Sequence, residues 1–349
     1  MRILFFTRRF YPLIGGVEKH CLEIGKRLVA QGHTLTVVTE TPDKNSKPKE
    51  TYEGINIYRI PITTEEKSKK FQIWWWLLNH RKLIKEAEVI HCHDVFFWYL
   101  PFRFLYPRKK VFTTFHGWEG IYPPRLKNKI IRKISEKLSF GNICVGNYIE
   151  KWYGTKADFV TYGGVNIVQS SKFKVQSYSS KCKVQSYSSK FKILFVGRLE
   201  KDTGLLIYLK TLVILRDRVE AKFAGDGSLR KEAEKYGTVL GFVEDVNEQM
   251  QESDFVFTSG YLSILEAMIN KKLVFSVYDN PIKEDYLKMA PFSQWIVIEN
   301  DPEQLAKKIK FYLENPLEEK KLIEEAYNWV RQQSWKKLTE KYLELWEKD

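Results

Sequence analysis

The chain has no apolar run of the roughly 18 to 20 residues needed to cross a bilayer, so a membrane-spanning protein is not expected. It has only four cysteines in 349 residues: Cys21, Cys92, Cys144 and Cys182. They are scattered, without the paired spacing of a zinc module, and the first three fall in apolar-periodic segments, where a buried thiol is usual. No disulfide framework is expected, and a reducing, cytoplasmic setting fits. No secretory leader is expected either, because Met1-Arg-Ile-Leu-Phe-Phe6 runs straight into a strand and a polar turn. The dinucleotide fingerprint G-x-G-x-x-G is missing, which weakens an NAD reading. Acidic charge is in short supply: 43 Asp and Glu face 57 Lys and Arg, a formal net charge of +14. That excess implies an anionic partner, whether nucleic acid, anionic lipid or a phosphorylated small molecule. What is plentiful is core material. At 44% hydrophobic and 15% aromatic residues, wholesale disorder is excluded, and the length suggests two domains.

Strand and helix patterns alternate from the first residue. Arg2 to Thr7 reads as a strand, and a loop from Arg8 ends in Gly15-Gly16. Val17, Cys21, Ile24 and Leu28 then recur at helical spacing, Gly32 stops the helix, and Thr34 to Thr39 is the next strand. This is a βαβ unit, right-handed by rule, with two glycines that let a ligand approach the backbone ahead of a helix N-terminus. Further strands are expected at Ile55–Ile60, Val89–His93, Lys110–Phe115, Asn142–Val145 and Asp158–Tyr162. His93 and His116 fall at strand ends. A structural role and a functional one are about equally weighted for the pair.

Between residues 67 and 85, Lys69, Lys70, Arg81, Lys82 and Lys85 flank Phe71-Gln-Ile-Trp-Trp-Trp-Leu-Leu78, and a second basic run extends from Arg125 to Lys137. Tryptophan with lysine suits an anionic membrane surface. The alternative is a packing helix with a solvated charged face. Residues 172 to 189 hold two copies of a nine-residue unit, Lys-(Phe/Cys)-Lys-Val-Gln-Ser-Tyr-Ser-Ser. Its composition is that of a linker, and two copies are too few for a solenoid.

A second α/β half follows. Lys192 to Val196 is a strand leading into Gly197-Arg-Leu-Glu-Lys-Asp-Thr-Gly204, and Ala221 to Ala224 leads into Gly225-Asp-Gly-Ser228. Val239–Val243, Leu273–Val277 and Trp295–Ile298 are further strands. Phe255 to Phe257, a Ser/Gly loop and Leu265-Glu-Ala-Met-Ile269 read as strand, loop and helix, which aims unpaired N–H groups at the edge of the sheet. Both sheets are expected to be parallel and covered on both faces.

Read together, Tyr11-Pro-Leu-Ile-Gly-Gly-Val-Glu-Lys-His20, Thr113-Thr-Phe-His-Gly117, Gly163-Gly-Val-Asn166, Val196-Gly-Arg-Leu199, Gly225-Asp-Gly227, Gly241-Phe-Val243 and Leu265-Glu-Ala-Met268 resemble the retaining glycosyltransferases of family 4. The resemblance covers nearly the whole chain apart from the repeat. It implies an α/β GT-B fold: an acceptor-side Rossmann-like domain over residues 1–167, a repeat linker over 168–190, a nucleotide-sugar-binding domain over 191–330 and a crossover helix over 331–349. It also implies a nucleoside diphosphate sugar as donor, a glycan or lipid-linked acceptor, and no cofactor. His116 would sit beside the transferred sugar, Arg198 would hold the diphosphate and Glu266 the ribose. Gly15, Gly16, Lys201, Gly225, Gly241, Phe242, Val243, Gly260, Tyr261 and Leu262 would complete the donor site. No Asp-x-Asp motif of the metal-dependent sugar transferases occurs, so no metal is expected.

Two positions depart from the family pattern. A carboxylate that normally touches the donor sugar is replaced by Thr258, and a lysine that shares the diphosphate is replaced by Thr203. Lys201 is the candidate substitute, with backbone contacts from Gly260 and Tyr261. The competing readings are a sugar-nucleotide epimerase using His93, Asp94, His116 and Glu119, a catalytically weakened binding relative, and a nucleic-acid binder supported by charge alone. Nucleic acid is the reading least expected.

Overall fold

The computed structural model describes residues 1–13, 15–43, 45–62, 66–117, 120–167 and 190–348. The nine-residue repeat, Trp118 and Glu119 lie outside the described residues. The chain divides into two compact units, residues 1–163 with 335–349 and residues 164–334.

The first unit runs β1 (Arg2–Thr7), α1 (Gly16–Ala30), β2 (Thr34–Glu40), β3 (Lys49–Tyr52), β4 (Ile55–Ile60), α2 (Glu66–Asn79), α3 (Arg81–Glu86), β5 (Val89–His93), α4 (Phe96–Leu105), β6 (Lys110–Phe115), α5 (Leu126–Leu138), β7 (Gly141–Val145), α6 (Tyr148–Tyr153) and β8 (Phe159–Thr161). The second runs β9 (Phe191–Val196), α7 (Leu205–Leu215), β10 (Val219–Ala224), α8 (Arg230–Ala233), β11 (Thr238–Gly241), α9 (Asn247–Glu252), β12 (Phe255–Phe257), α10 (Tyr261–Ile269), β13 (Leu273–Val277), α11 (Pro281–Lys288), β14 (Val297–Glu299), α12 (Pro302–Glu314) and α13 (Pro316–Val330). A last helix, α14 (Trp335–Glu347), belongs to the first unit and packs against α1.

The first sheet has the order β3-β4-β2-β1-β5-β6-β7-β8, and the second β11-β10-β9-β12-β13-β14. In the second, the strands in chain order take the 3-2-1-4-5-6 arrangement of a doubly wound nucleotide-binding sheet. Each sheet therefore has a switch point, between β1 and β5 and between β9 and β12, where the connections leave in opposite directions, the place at which doubly wound sheets take their ligands. The strands are near-continuous apolar runs because both faces are covered: Ile3 to Phe6 and Phe255 to Phe257 are all buried.

The expectation of wholly parallel sheets needs one correction. β3 was not read from the sequence, and it pairs antiparallel with β4 at the sheet edge. Glu53 and Gly54 both have positive φ, 50° and 75°, the geometry of a tight hairpin turn. The strand alternates exposed and half-buried residues and contributes little to the core, so its apolar signal is weak.

The aromatic run on α2 is divided by helical geometry. Trp74 donates its indole N–H to the Phe97 carbonyl at 3.1 Å and Trp76 stacks on His80, whereas Trp75 is 67% exposed. Two basic residues grouped with the proposed membrane surface do not face solvent. Lys69 pairs with Glu40 at 2.7 Å, and Arg132 is buried with its guanidinium 4.1 Å from the Tyr153 ring.

Candidate active site

In the first unit the strand register assembles a cluster of imidazoles. His93 lies beside Thr7 on β1 and Thr114 on β6, and His91 lies beside Phe5 and Phe112. α1 adds His20 and Cys21, both buried, and α14 adds Tyr342 and Trp346. One buried chain of hydrogen bonds has the directions of its first two links set by chemistry. Trp346 Nε1 is donor-only, so His91 Nδ1 accepts at 3.0 Å. His91 then carries its proton on Nε2 and donates to Thr114 Oγ1 at 2.7 Å. The chain continues from Thr114 Oγ1 to the Tyr342 hydroxyl at 2.9 Å and from that hydroxyl to His20 Nε2 at 2.8 Å. Burial pushes the His20 pKa down to about 3 and holds those of His91, His93 and His116 well below the usual imidazole range. All four rings are neutral near pH 7.

His116 closes the cluster at the end of β6. Its Nε2 is 2.9 Å from His93 Nδ1, and its backbone N–H donates to Asp94 Oδ1 at 2.9 Å. Arg132 donates to the carbonyl of Gly117, so the His116-Gly117 turn is pinned from both sides. Gly15 is the N-cap of α1, and a Cβ at Gly16 would meet nothing within 4 Å among the described residues.

In the second unit three glycine loops meet at the strand ends. Gly197 follows β9 and donates to the Ala224 carbonyl at 3.1 Å, while Gly225 follows β10 and donates to the Gly241 carbonyl at 2.7 Å. A Cβ on Gly225 would stand 1.8 Å from the Gly197 carbonyl oxygen, so only glycine fits. Beside them Arg198 is exposed and bonds Asp202 at 2.7 Å, and Lys201 is exposed on the following 3-10 turn. Phe242, directly after β11, is 60% exposed, and Val243 is half-buried.

Across the switch point α10 begins. Gly260 is its N-cap, and no side chain caps it, so the Leu262 and Ser263 N–H groups of the first turn lack an internal acceptor. Glu266 is half-buried on the same helix. Tyr261, expected to offer a backbone contact, donates its N–H to the Tyr286 hydroxyl at 2.9 Å, and its ring is buried in a stack 3.8 Å from the Tyr286 ring.

Two family models match this chain: Glycosyltransferase Family 4 over residues 14–160, and Glycosyl transferases group 1 over residues 179–329. The chain belongs to the family 4 glycosyltransferases. It is an enzyme of the transferase class with the GT-B fold. Sucrose-phosphate synthase from Thermosynechococcus elongatus superposes with a TM-score of 0.77 at 14% identity, covering 99% of this chain and 98% of that one. Anabaena HepE in complex with UDP and glucose superposes at 0.72 with 15% identity, covering 99% and 98%. Among curated proteins, the phosphatidylinositol N-acetylglucosaminyltransferase GPI3 subunit of Saccharomyces cerevisiae is 22% identical over 233 residues, 62% of this chain and 51% of that protein. The chain thus spans about half the length of that relative.

Within this glycosyltransferase the two departures from the family pattern have local explanations. Thr203 bonds the Glu200 carbonyl at 2.7 Å and closes the 3-10 turn. Thr258 is buried at the end of β12, with its carbonyl accepting from Ser276 at 2.6 Å. Lys283, which the sequence reading missed, is buried on α11. Its Nζ donates to the Ser259 carbonyl at 2.7 Å and lies 4.0 Å from the Tyr286 ring. Arg198, Asp202 and Asp279 all act on its charge. The available signal was Asn280-Pro281, a helix start that puts Lys283 in the first turn, where Asn280 accepts its N–H.

Proposed function

We propose that this glycosyltransferase uses a nucleoside diphosphate sugar, retains the anomeric configuration, needs no metal, and transfers to a glycan or lipid-linked acceptor at an anionic membrane surface. The observation that carries the donor reading is the switch point between β9 and β12. There a guanidinium, an uncapped helix start and a set of glycine loops share one sheet edge. In this reading Arg198 turns from Asp202 to the diphosphate, where its fork matches two oxygens. The Leu262 and Ser263 N–H groups neutralise the departing phosphate. Glu266 accepts from the ribose hydroxyls, and exposed Phe242 stacks on the base beside Gly241 and Val243. Gly225 keeps the loop close, and Lys201 screens the outer phosphate.

Lys283 stands in for the lysine replaced by Thr203. On the first unit, His116 borders the sugar, and Gly15 and Gly16 let it approach α1. Negative charge grows on the leaving diphosphate while the sugar takes on oxocarbenium character, so fixed donors at the diphosphate supply most of the stabilisation. The relative solved with UDP and glucose supports trying uridine nucleotides first. An epimerase needs groups that exchange protons near neutrality, and the low pKa values of His93 and His116 weigh against it.

A donor screen tests the proposal. Release of nucleoside diphosphate from one sugar nucleotide, stimulated by a lipid extract and unaffected by a chelator, is expected. No release from any sugar nucleotide with any lipid or glycan acceptor would overturn it, and product of inverted configuration would remove retention.

A further inference from the structure

The imidazole cluster holds more ligating capacity than its hydrogen bonds use. His91 has both ring nitrogens committed, to Trp346 and Thr114, and His20 gives its Nε2 to Tyr342. His93 differs. Its Nδ1 faces His116, and its Nε2 is buried without a hydrogen-bond partner among the described residues. An orphaned buried polar atom is costly to keep, so its retention calls for a reason. The thiol of Cys21, fully buried on α1 and hydrogen-bonded to Thr7, lies close to this pair. One ligand atom from each of Cys21, His93 and His116 lies within 4.8 Å of the other two.

Zinc bonds of about 2.0–2.1 Å to nitrogen and about 2.3 Å to sulfur put tetrahedral ligand atoms about 3.4–3.6 Å apart. Side-chain shifts of about one ångström close the remaining gap. Two imidazoles and a thiolate select zinc-class cations over magnesium and calcium.

We infer that Cys21, His93 and His116 form a binding site for one zinc-class divalent cation, and that its occupancy switches transfer off by withdrawing His116 from the sugar. The inhibitory half rests on the role proposed for His116, whereas the binding half does not. Glu18 and Asp94 bring negative charge to the Cys21 side, and Arg132 brings positive charge to the His116 side. The thiol proton passes to solvent when the ion binds, and a fourth position is left for water. The three residues are far apart in the sequence, so their spacing there shows no metal motif.

Cobalt(II) is the probe. Titrated into the metal-free full-length protein, it is expected to give a thiolate-to-metal charge-transfer band that saturates at one ion per chain and is displaced by zinc. Cys21→Ser is expected to abolish the band and weaken zinc binding about tenfold or more, while Cys92→Ser, a buried thiol outside the group, leaves both unchanged. Absence of the band, or its persistence in Cys21→Ser, overturns the site. If Cys21→Ser misfolds, zinc-edge X-ray absorption on the unaltered protein decides: one sulfur and two imidazole nitrogens support the site, and a shell without sulfur overturns it. Saturating zinc is expected to lower sugar transfer about tenfold, reversibly with a chelator. A band with transfer unchanged upholds the cation site and overturns the part given to His116.

Discussion

A buried ammonium is costly to keep, and Lys283 keeps one with a carbonyl on one side and an aromatic ring on the other. Burial pushes its pKa down to about 8, against the opposing pull of Asp202 and Asp279 and with further lowering from Arg198. A diphosphate binds the protonated form, so ligand binding raises this pKa. Affinity is therefore level below pH 8 and falls as Lys283 deprotonates above it. Calorimetry of nucleoside diphosphate binding between pH 7 and about 9.5 is expected to show that fall, and Lys283→Met to remove it. A pH profile identical in the variant would take Lys283 out of the site. Arg198 is a separate case, because its side chain is 62% exposed and must leave Asp202 to bind ligand. Arg198→Ala is expected to weaken the same binding by about 2 kcal/mol, the low end for a charge pair in a site. Unchanged affinity would sink the assignment.

At the scale of elements, the glycines separate structural need from ligand need. Gly225 has φ +154° and its missing Cβ would collide with a backbone oxygen that no rotamer change can move aside. Gly225→Ala is expected to destabilise the second unit by about 2 kcal/mol or more, seen as a lower urea midpoint. Gly16→Ala adds a methyl at a helix start that meets none of the described residues within 4 Å, so the midpoint should hold while sugar transfer falls. If Gly16→Ala transfers sugar at the parent rate, that helix start does not meet a ligand. The strands that build both sheets were legible in the sequence because each is a short buried run, such as Val89 to His93 or Leu273 to Val277. β3 was not, because an edge strand with alternating half-burial looks like loop. Nor was the grouping of Cys21 with His93 and His116, which depends on the register of three strands and on which face of the sheet carries α1. Lys283 was hidden for a similar reason: a lysine in a helical first turn reads as solvated until the Tyr286 ring beside it is placed.

At the scale of the whole molecule, the +14 charge and the exposed apolar residues of the first unit bear on where the enzyme works. No helix of the described residues is long and apolar enough to cross a membrane. The connections β4→β5, β5→β6 and β6→β7 all advance in one direction along the sheet, so right-handed crossovers put α2, α4 and α5 on the same face. That layer exposes Leu126, Ile130 and Ile134 at four-residue spacing on α5, Phe104 and Leu105 on α4, and Phe71, Trp75 and Leu78 on α2. Exposed Lys70, Lys127 and Lys137 lie on α2 and α5, and exposed Arg81 begins α3, each worth about 1 kcal/mol near an anionic surface. The combination suits shallow, reversible docking. In vesicle flotation at low salt, the protein is expected to rise with anionic but not neutral vesicles, and to be released as salt increases. Paired replacement of Trp75 and Ile130 by serine should reduce flotation without changing the urea midpoint, since both side chains are exposed. Lys69→Glu serves as the contrast. It breaks the ion pair with Glu40 and should lower stability rather than act on lipid alone. Protein left at the bottom of the gradient with anionic vesicles at low salt would make the acceptor a soluble glycan, and the exposed stripe on α5 a surface for something other than lipid.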